Sequence, residues 1–294
     1  MKTLARSLSG TAAAAAVRER VRARVAALRA RGVVPGLGVI QVGRVLASDV
    51  YVGKKLEAAR DLGFEARHAR IEPGAGERAL LEAVRAFNTD PALHGFLVQM
   101  PLPDGWDEDA ALGAVDPARD LDGFHPLNVG LTTLGSGGFW PCTALGVREL
   151  LEFHAVPLAG RHVVVVGRSR VVGRPLATLL SQRGADATVT LCHSASGDLA
   201  RYTRAADIVV MAAGRARLLR GEMIQDGAVV VDVGIHSLED PARPGKRRLV
   251  GDVDAESAGL RAAWLSPVPG GVGPMTVAML MQNAALAAER SLER

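Results

Sequence analysis

The chain has 294 residues, 48% of them hydrophobic and 4% aromatic, with a formal net charge of +4. That length suits one large or two medium domains, and a core built from Ala, Val, Leu and Gly suits α/β layers better than an aromatic-rich sandwich. The small positive balance favours small anionic ligands and, without a basic stripe interleaved with aromatics, argues against a nucleic-acid partner. Two distant cysteines, Cys142 and Cys192, and seven scattered histidines offer neither a disulfide framework nor metal-ligand spacing, so no metal and a reduced, cytoplasmic setting are expected.

The Arg- and Ala-rich opening carries one acid, Glu19, in its first 32 residues, a composition shared with transit peptides. Val17, Val21, Val25 and Leu28 fall at helical spacing with Arg on the other faces, so a surface helix ended by Gly32 is the better reading. No apolar run reaches the length of a membrane span. LGVIQVG (37–43) reads as a buried strand. Ser48 is the expected N-cap of a helix over DVYVGKKLEAARDL, with Gly63 just past its end. FEARHARI reads as a strand, EPGAG as a loop, ERALLEAVRAFNTD as a helix, and HGFLVQMPLP (94–103) as a short strand entering a proline-rich turn. This β-α-β-α-β order implies a parallel sheet covered by helices. Residues 104–141 are turn-rich and weakly periodic, as in a functional loop or a connector.

TALGVRELLEFH opens a second α/β segment as a helix. VVVV (163–166) has the uninterrupted β-branched character of a central parallel strand buried on both faces. A glycine loop, an apolar helix and the strand ATVTLCH follow. ADIVVMAAG (206–214) and GAVVVDVGI (227–235) are two more strands, and GDVDAESAGLRAAWL is a turn and a helix. The last helix follows the loop PVPGGVGP, whose prolines are stiff and whose glycines, Gly270, Gly271 and Gly273, bare the backbone. Such a loop can wrap a flat or anionic ligand at a helix N-terminus, or serve as an interdomain hinge.

Three groups of residues carry chemistry. Gly167-Arg168-Ser169-Arg170-Val171-Val172-Gly173-Arg174-Pro175 lies between a buried strand and a helix, where glycines admit a pyrophosphate to the helix N-terminus. The next strand ends in Cys192-His193-Ser194 rather than the acid that would hold an NAD ribose, and three arginines lie in the glycine loop. A 2′-phosphate would be welcomed there, so NADP is expected over NAD. Ser48, Tyr51 and Lys55 share one helix face, with Lys54 a quarter turn away. A buried amine on such a face suits acid–base work. Gln99 ends a strand, and Asp122 lies in a turn that exposes its carboxylate to an amidine-like edge; Asp120 competes for that role, and either acid could simply make the turn. Cys142 and His125 are a weaker nucleophile–base pair, with no third group to orient them.

Together these segments resemble the bifunctional methylenetetrahydrofolate dehydrogenase/methenyltetrahydrofolate cyclohydrolase family. The resemblance runs through SxxYVxxK (48–55), GFLVQMPLP, DLDGFHPxNxG (120–130), PCTxxG (141–146), GRSxxVGxP (167–175), CHS, DVGI (232–235), GDV and PVPGGVGPMT (267–276). It implies two three-layer α/β domains with an active-site cleft between them. Residues 1–140 with 268–294 would form the folate-binding, catalytic domain, and 141–267 the Rossmann-type NADP-binding domain. It implies Lys55 as the catalytic lysine, assisted by Tyr51 and Gln99, with Tyr51 stacking on the aminobenzoyl ring and Asp122 holding the pterin. Pro269, Gly270 and Gly271 would line the folate side, and Gly167, Arg168, Ser169, Gly173, Ser194 and Ile235 would meet the cofactor. The implied reactions are NADP-dependent oxidation of 5,10-methylenetetrahydrofolate to the methenyl cation and hydrolysis of that cation to 10-formyltetrahydrofolate. A homodimer and a place in one-carbon metabolism and purine biosynthesis are implied as well. The chain departs from the family pattern at GRVLAS (43–48), Glu57, Arg119 and Ala144, none of them a catalytic position. The alternatives are another NADP-dependent dehydrogenase with a split substrate domain, such as a shikimate-type one, and a non-catalytic nucleotide-binding module.

Overall fold

The computed structural model describes residues 4–44, 46–240, 243 and 245–293. In chain order the first half comprises β1 (Arg6–Ser7), α1 (Gly10–Ala30), β2 (Gly36–Val42), α2 (Leu46–Asp61), β3 (Glu65–Ile71), α3 (Gly76–Thr89), β4 (Gly95–Val98), α4 (Glu108–Gly113) and α5 (Pro126–Leu134). The second half comprises α6 (Cys142–Phe153), β5 (His162–Val166), α7 (Gly173–Ser181), β6 (Thr188–Cys192), α8 (Leu199–Thr203), β7 (Ile208–Met211), β8 (Val229–Asp232), β9 (His236–Glu239), β10 (Arg247–Val250), α9 (Ala255–Gly259), β11 (Trp264–Leu265) and α10 (Val272–Ser291). Two compact units result: Ala15–Cys142 with Val277–Arg294, and Met1–Ala14 with Thr143–Thr276.

The first unit holds a parallel three-stranded sheet in the order β3-β2-β4. The middle strand, β2, is buried along its whole length, which is why its sequence is apolar with little alternation. Gly38 is required there, because a Cβ would stand 2.7 Å from the Phe87 ring of α3. Phe87 meets Phe96 of β4 edge to face, with centroids 5.5 Å apart, over a core of Ile40, Val42, Leu80, Val84 and Val98. Val17, Val21, Val25 and Leu28 of α1 are buried, so that helix has an inward face rather than being a surface ornament. Gly63 follows α2 at φ +84°, as its left-handed C-terminal position demands.

The second unit holds six parallel strands in the order β1-β11-β8-β7-β5-β6. The VVVV run is the buried body of β5, flanked by β6 and β7. A separate antiparallel pair, β9 with β10, joins the end of β8 to Gly251. Among the described residues no helix is long and apolar enough to cross a membrane.

Several expectations change. Ser48 lies within the first turn of α2 rather than capping it; Val45, inside the divergent GRVLAS stretch, lies outside the described residues. The turn-rich 104–141 region contains α4 and α5, of 6 and 9 residues, too short to print a periodicity. The N-terminal residues, expected in the first domain, join the second sheet: β1 pairs with β11, and Arg6 N–H and Leu8 N–H donate to the carbonyls of Ala263 and Leu265 at 2.9 and 3.0 Å. The loop with Pro269, Gly270 and Gly271 also belongs to this unit rather than to the first. Thr11 N–H donates to the Gly270 carbonyl at 3.1 Å, and Gly10 leaves no room for a Cβ, which would stand 1.7 Å from the Gly271 oxygen. Backbone contacts of this kind leave no side-chain pattern to read.

Candidate active site

Among the described residues of the first unit Lys55 is the buried cation, only 5% exposed although it sits on a helix. Its Nζ donates to Gln99 Oε1 at 3.0 Å and lies 5.2 Å from the centroid of the Tyr51 ring, one turn earlier on α2. Gln99 follows the end of β4, and its Nε2 donates to the Met100 carbonyl at 2.7 Å. With the amide nitrogen so committed, the oxygen is left to face the lysine. Lys54, the competing amine, is exposed. Tyr51, Lys55 and Gln99 are therefore brought together, while Ser48 is not part of this contact.

The turn after β4 separates the two acids that spacing left open. Asp120 is 4% exposed and accepts from Gly123 N–H at 3.1 Å, His125 N–H at 2.8 Å and Asn128 Nδ2 at 2.9 Å. Its carboxyl is raised above the ordinary range by burial, which outweighs the donors of His125 and Asn128 that oppose it. Asp120 thus makes the turn, and Asp122 emerges from it half-buried. Asn283 of α10 clamps the same turn, Nδ2 donating to the carbonyls of Leu121 at 2.9 Å and Trp140 at 3.1 Å. Sequence reading missed Asn283, since its partners lie more than a hundred residues away. Cys142 Sγ sits beneath, 3.4 Å from the Leu121 carbonyl. Burial drives its thiol well up, the Asp122 carboxylate adds to this and the Lys55 ammonium opposes it, so Cys142 is no nucleophile but does report that Asp122 and Lys55 lie close to it. His125 is spent as the N-cap of α5, its Nδ1 accepting from Leu127 N–H at 3.0 Å. Arg119, one of the departures, caps the end of α3 by donating to the carbonyls of Phe87, Asp90 and Leu93 at 3.2, 2.8 and 2.7 Å.

In the second unit the glycine loop runs from β5 to α7. Gly167 has φ +124° and a Cβ there would stand 2.0 Å from the Ala212 oxygen. A Cβ on Gly173 would stand 1.7 Å from the Gly167 oxygen, so both glycines are dictated by the turn itself. Ser169 Oγ accepts from Val172 N–H at 3.1 Å, tightening the loop, and Arg168, Ser169, Arg170 and Arg174 are exposed. Beyond β6, Ser194 is exposed in a bend set by His193 N–H donating to Ser196 Oγ at 2.9 Å. The next acid along, Asp198, is committed as the N-cap of α8, accepting from Ala200 N–H at 3.0 Å. Ile235 is 56% exposed and lies beside Gly273, where α10 begins. A cradle with no room for two Cβ atoms, rimmed by guanidinium and hydroxyl groups, fits a dinucleotide with a phosphorylated ribose.

Residues 8–122 match the family model described as tetrahydrofolate dehydrogenase/cyclohydrolase, catalytic domain, and residues 141–292 match its NAD(P)-binding domain. The chain belongs to the tetrahydrofolate dehydrogenase/cyclohydrolase family. It is 46% identical over 280 residues to the bifunctional protein FolD of Chlorobium luteolum, covering 94% of this chain and 95% of that one. The crystal structure of the Trypanosoma brucei methylenetetrahydrofolate dehydrogenase-cyclohydrolase, complexed with NADP cofactor and inhibitor, aligns at TM-score 0.93 and 41% identity, covering 99% of this chain and all of that one. A shikimate dehydrogenase from Thermus thermophilus shares 19% identity at TM-score 0.50 over 87% of this chain, a likeness of fold alone.

Proposed function

We propose that this chain oxidises 5,10-methylenetetrahydrofolate with NADP and hydrolyses the resulting methenyl cation to 10-formyltetrahydrofolate. The observation that carries the reading is the buried Lys55 ammonium aimed at Gln99 and packed on Tyr51. A charge removed from water is costly unless it has work and partners, and here one partner is an amide whose orientation is already set. Gln99 holds Nζ in place, Tyr51 supplies a ring on which the aminobenzoyl group stacks, and Asp122 accepts from the amidine edge of the pterin. Water adds to the methenyl carbon; the Lys55 ammonium gives a proton to the departing nitrogen as the ring opens, and the amine so formed takes up the proton that the added water releases.

Gly167, Arg168, Ser169, Gly173, Ser194 and Ile235 hold the dinucleotide, with the serines and arginines on the 2′-phosphate. NADP, when bound, accepts the hydride lost by the methylene carbon. The absence of an acid at the end of β6 leaves no carboxylate there to repel the 2′-phosphate of NADP. Pro269, Gly270 and Gly271 line the folate side. The protein works as a homodimer in the cytoplasm, where its two buried, free cysteines stay reduced, and serves one-carbon metabolism and purine synthesis.

The test is to incubate pure protein with methylenetetrahydrofolate and NADP while following NADPH absorbance and formyl product. Both signals are expected, with kcat/KM higher for NADP than for NAD. A preference for NAD refutes the argument from the missing acid, and NADPH without formyl product removes the role of Lys55 in hydrolysis.

A further inference from the structure

The dinucleotide unit contains a pair of buried acids that the reactions above do not use. Asp232 ends β8, and Asp252 follows β10 by two residues. Asp232 Oδ1 accepts from Gly234 N–H at 3.0 Å and Asp252 N–H at 2.9 Å, and its Oδ2 accepts from Val253 N–H at 2.9 Å. Asp252 has no exposed side-chain surface; its Oδ2 accepts from Ala213 N–H at 2.6 Å and Gly214 N–H at 2.9 Å, and its Oδ1 meets His236 Nε2 at 2.7 Å. The fit admits no extra atom. A Cβ on Gly234 would stand 2.3 Å from Asp252 Oδ1, and one on Gly251 would stand 1.8 Å from Asp232 Oδ2.

These bonds go to backbone at the carboxyl ends of parallel strands, where such sheets bind their ligands. Ala213 and Gly214 follow β7, next to Ala212, whose carbonyl closes on Gly167 of the phosphate loop. Gly234 precedes Ile235 after β8. One carboxylate therefore sets the loop after β7, its neighbour sets the loop after β8, and His236, the first residue of β9, holds the first carboxylate from the far side. A charge-assisted hydrogen bond of this kind is stronger than a neutral one.

We propose that Asp252, locked in place by His236, is a positioning residue for the dinucleotide: it aims the Ala213–Gly214 backbone and, through Asp232, the Gly234–Ile235 backbone at the cofactor bound against the phosphate loop. This rests on the dinucleotide reading given above. His236 is reached without disturbing the buried acids, because it is itself partly exposed.

The experiment measures the Kd of NADP, and the KM of the folate, for the wild type, His236→Leu and His236→Gln. Leucine removes the donor; glutamine places an amide N–H at a similar reach. His236→Leu is expected to weaken NADP binding about tenfold with no change in folate KM, and His236→Gln to recover binding to within roughly threefold of wild type. Should the leucine variant not fold, His236→Ala takes its place in the same comparison. Unchanged NADP affinity on loss of the donor, equal losses for both ligands, or no recovery by glutamine overturns the proposal. A wild-type protein that does not bind NADP overturns the dinucleotide reading itself, a result distinct from all of these.

Discussion

Replacing Asp120 by alanine takes away the acceptor shared by three donors inside the turn that follows β4. Two of those donors keep a second acceptor: Gly123 N–H reaches the Asp120 carbonyl at 3.3 Å, and Asn128 Nδ2 reaches the Pro117 carbonyl at 2.8 Å. The loss falls hardest on His125 N–H, which opens α5. A buried donor left without its acceptor costs about 1–3 kcal/mol, and relief of the buried carboxyl's desolvation offsets part of this, so the net destabilisation is about 1–2 kcal/mol. Asp122→Ala changes a half-buried side chain that does not anchor the turn, so its effect on stability stays within about 0.5 kcal/mol. It should instead raise the folate KM about a hundredfold, because two charge-assisted hydrogen bonds to the pterin are lost. Urea unfolding followed by circular dichroism measures the first effect, as a lower midpoint at constant slope, and steady-state kinetics measures the second. NADP affinity should be unaltered by Asp122→Ala. The reverse pattern, a stable Asp120 variant that cannot bind folate beside an unstable Asp122 variant, would refute the assignment of the two acids.

Lys55→Ala should lower methenyltetrahydrofolate hydrolysis by about 10²–10⁴-fold while the protein still unfolds cooperatively; turnover within tenfold of wild type would remove Lys55 from the proton transfers. Gly173→Ala puts a Cβ 1.7 Å from the Gly167 oxygen, backbone against backbone, so the phosphate loop must shift and NADP affinity should fall about tenfold or more. Calorimetric titration of the variant with NADP decides this, and unaltered affinity would mean that the loop does not carry the phosphates. Burial raises the Asp232 carboxyl from 3.8 to about 6, so the native chain holds this proton more tightly than the unfolded chain. That contribution is fully present below about pH 3.8 and is lost as pH rises through about 6, a change of about 3 kcal/mol. The stability margin of wild type over Asp232→Asn, which cannot ionise, should therefore shrink between about pH 4 and pH 7 in urea melts. A margin independent of pH would show that Asp232 does not titrate there.

The sequence by itself determines the dinucleotide half of this protein most completely. A strand buried on both faces has to be apolar throughout, and a loop that folds back on its own carbonyls has to carry glycine, so Val163–Val166, Gly167 and Gly173 announce β5 and the turn into α7 from residue type alone. Helical spacing alone puts Tyr51 and Lys55 on one face, and the motifs supply Gln99 and Asp122. What spacing cannot show is where a hydrogen bond ends. Only the tertiary structure separates Asp120 from Asp122, because the donors of Gly123, His125 and Asn128 converge on one carboxylate and leave the other out. Asn283 reaches a carbonyl 162 residues away, and β1 and β11, of two residues each, are joined by backbone bonds and by the Arg6 guanidinium over the Trp264 ring at 4.0 Å, contacts too short in sequence to print a pattern. The same holds for Asp252, whose three partners come from the loop after β7 and the first residue of β9. Local periodicity records what each residue faces, whereas these contacts depend on which distant backbone groups the fold delivers to a buried side chain.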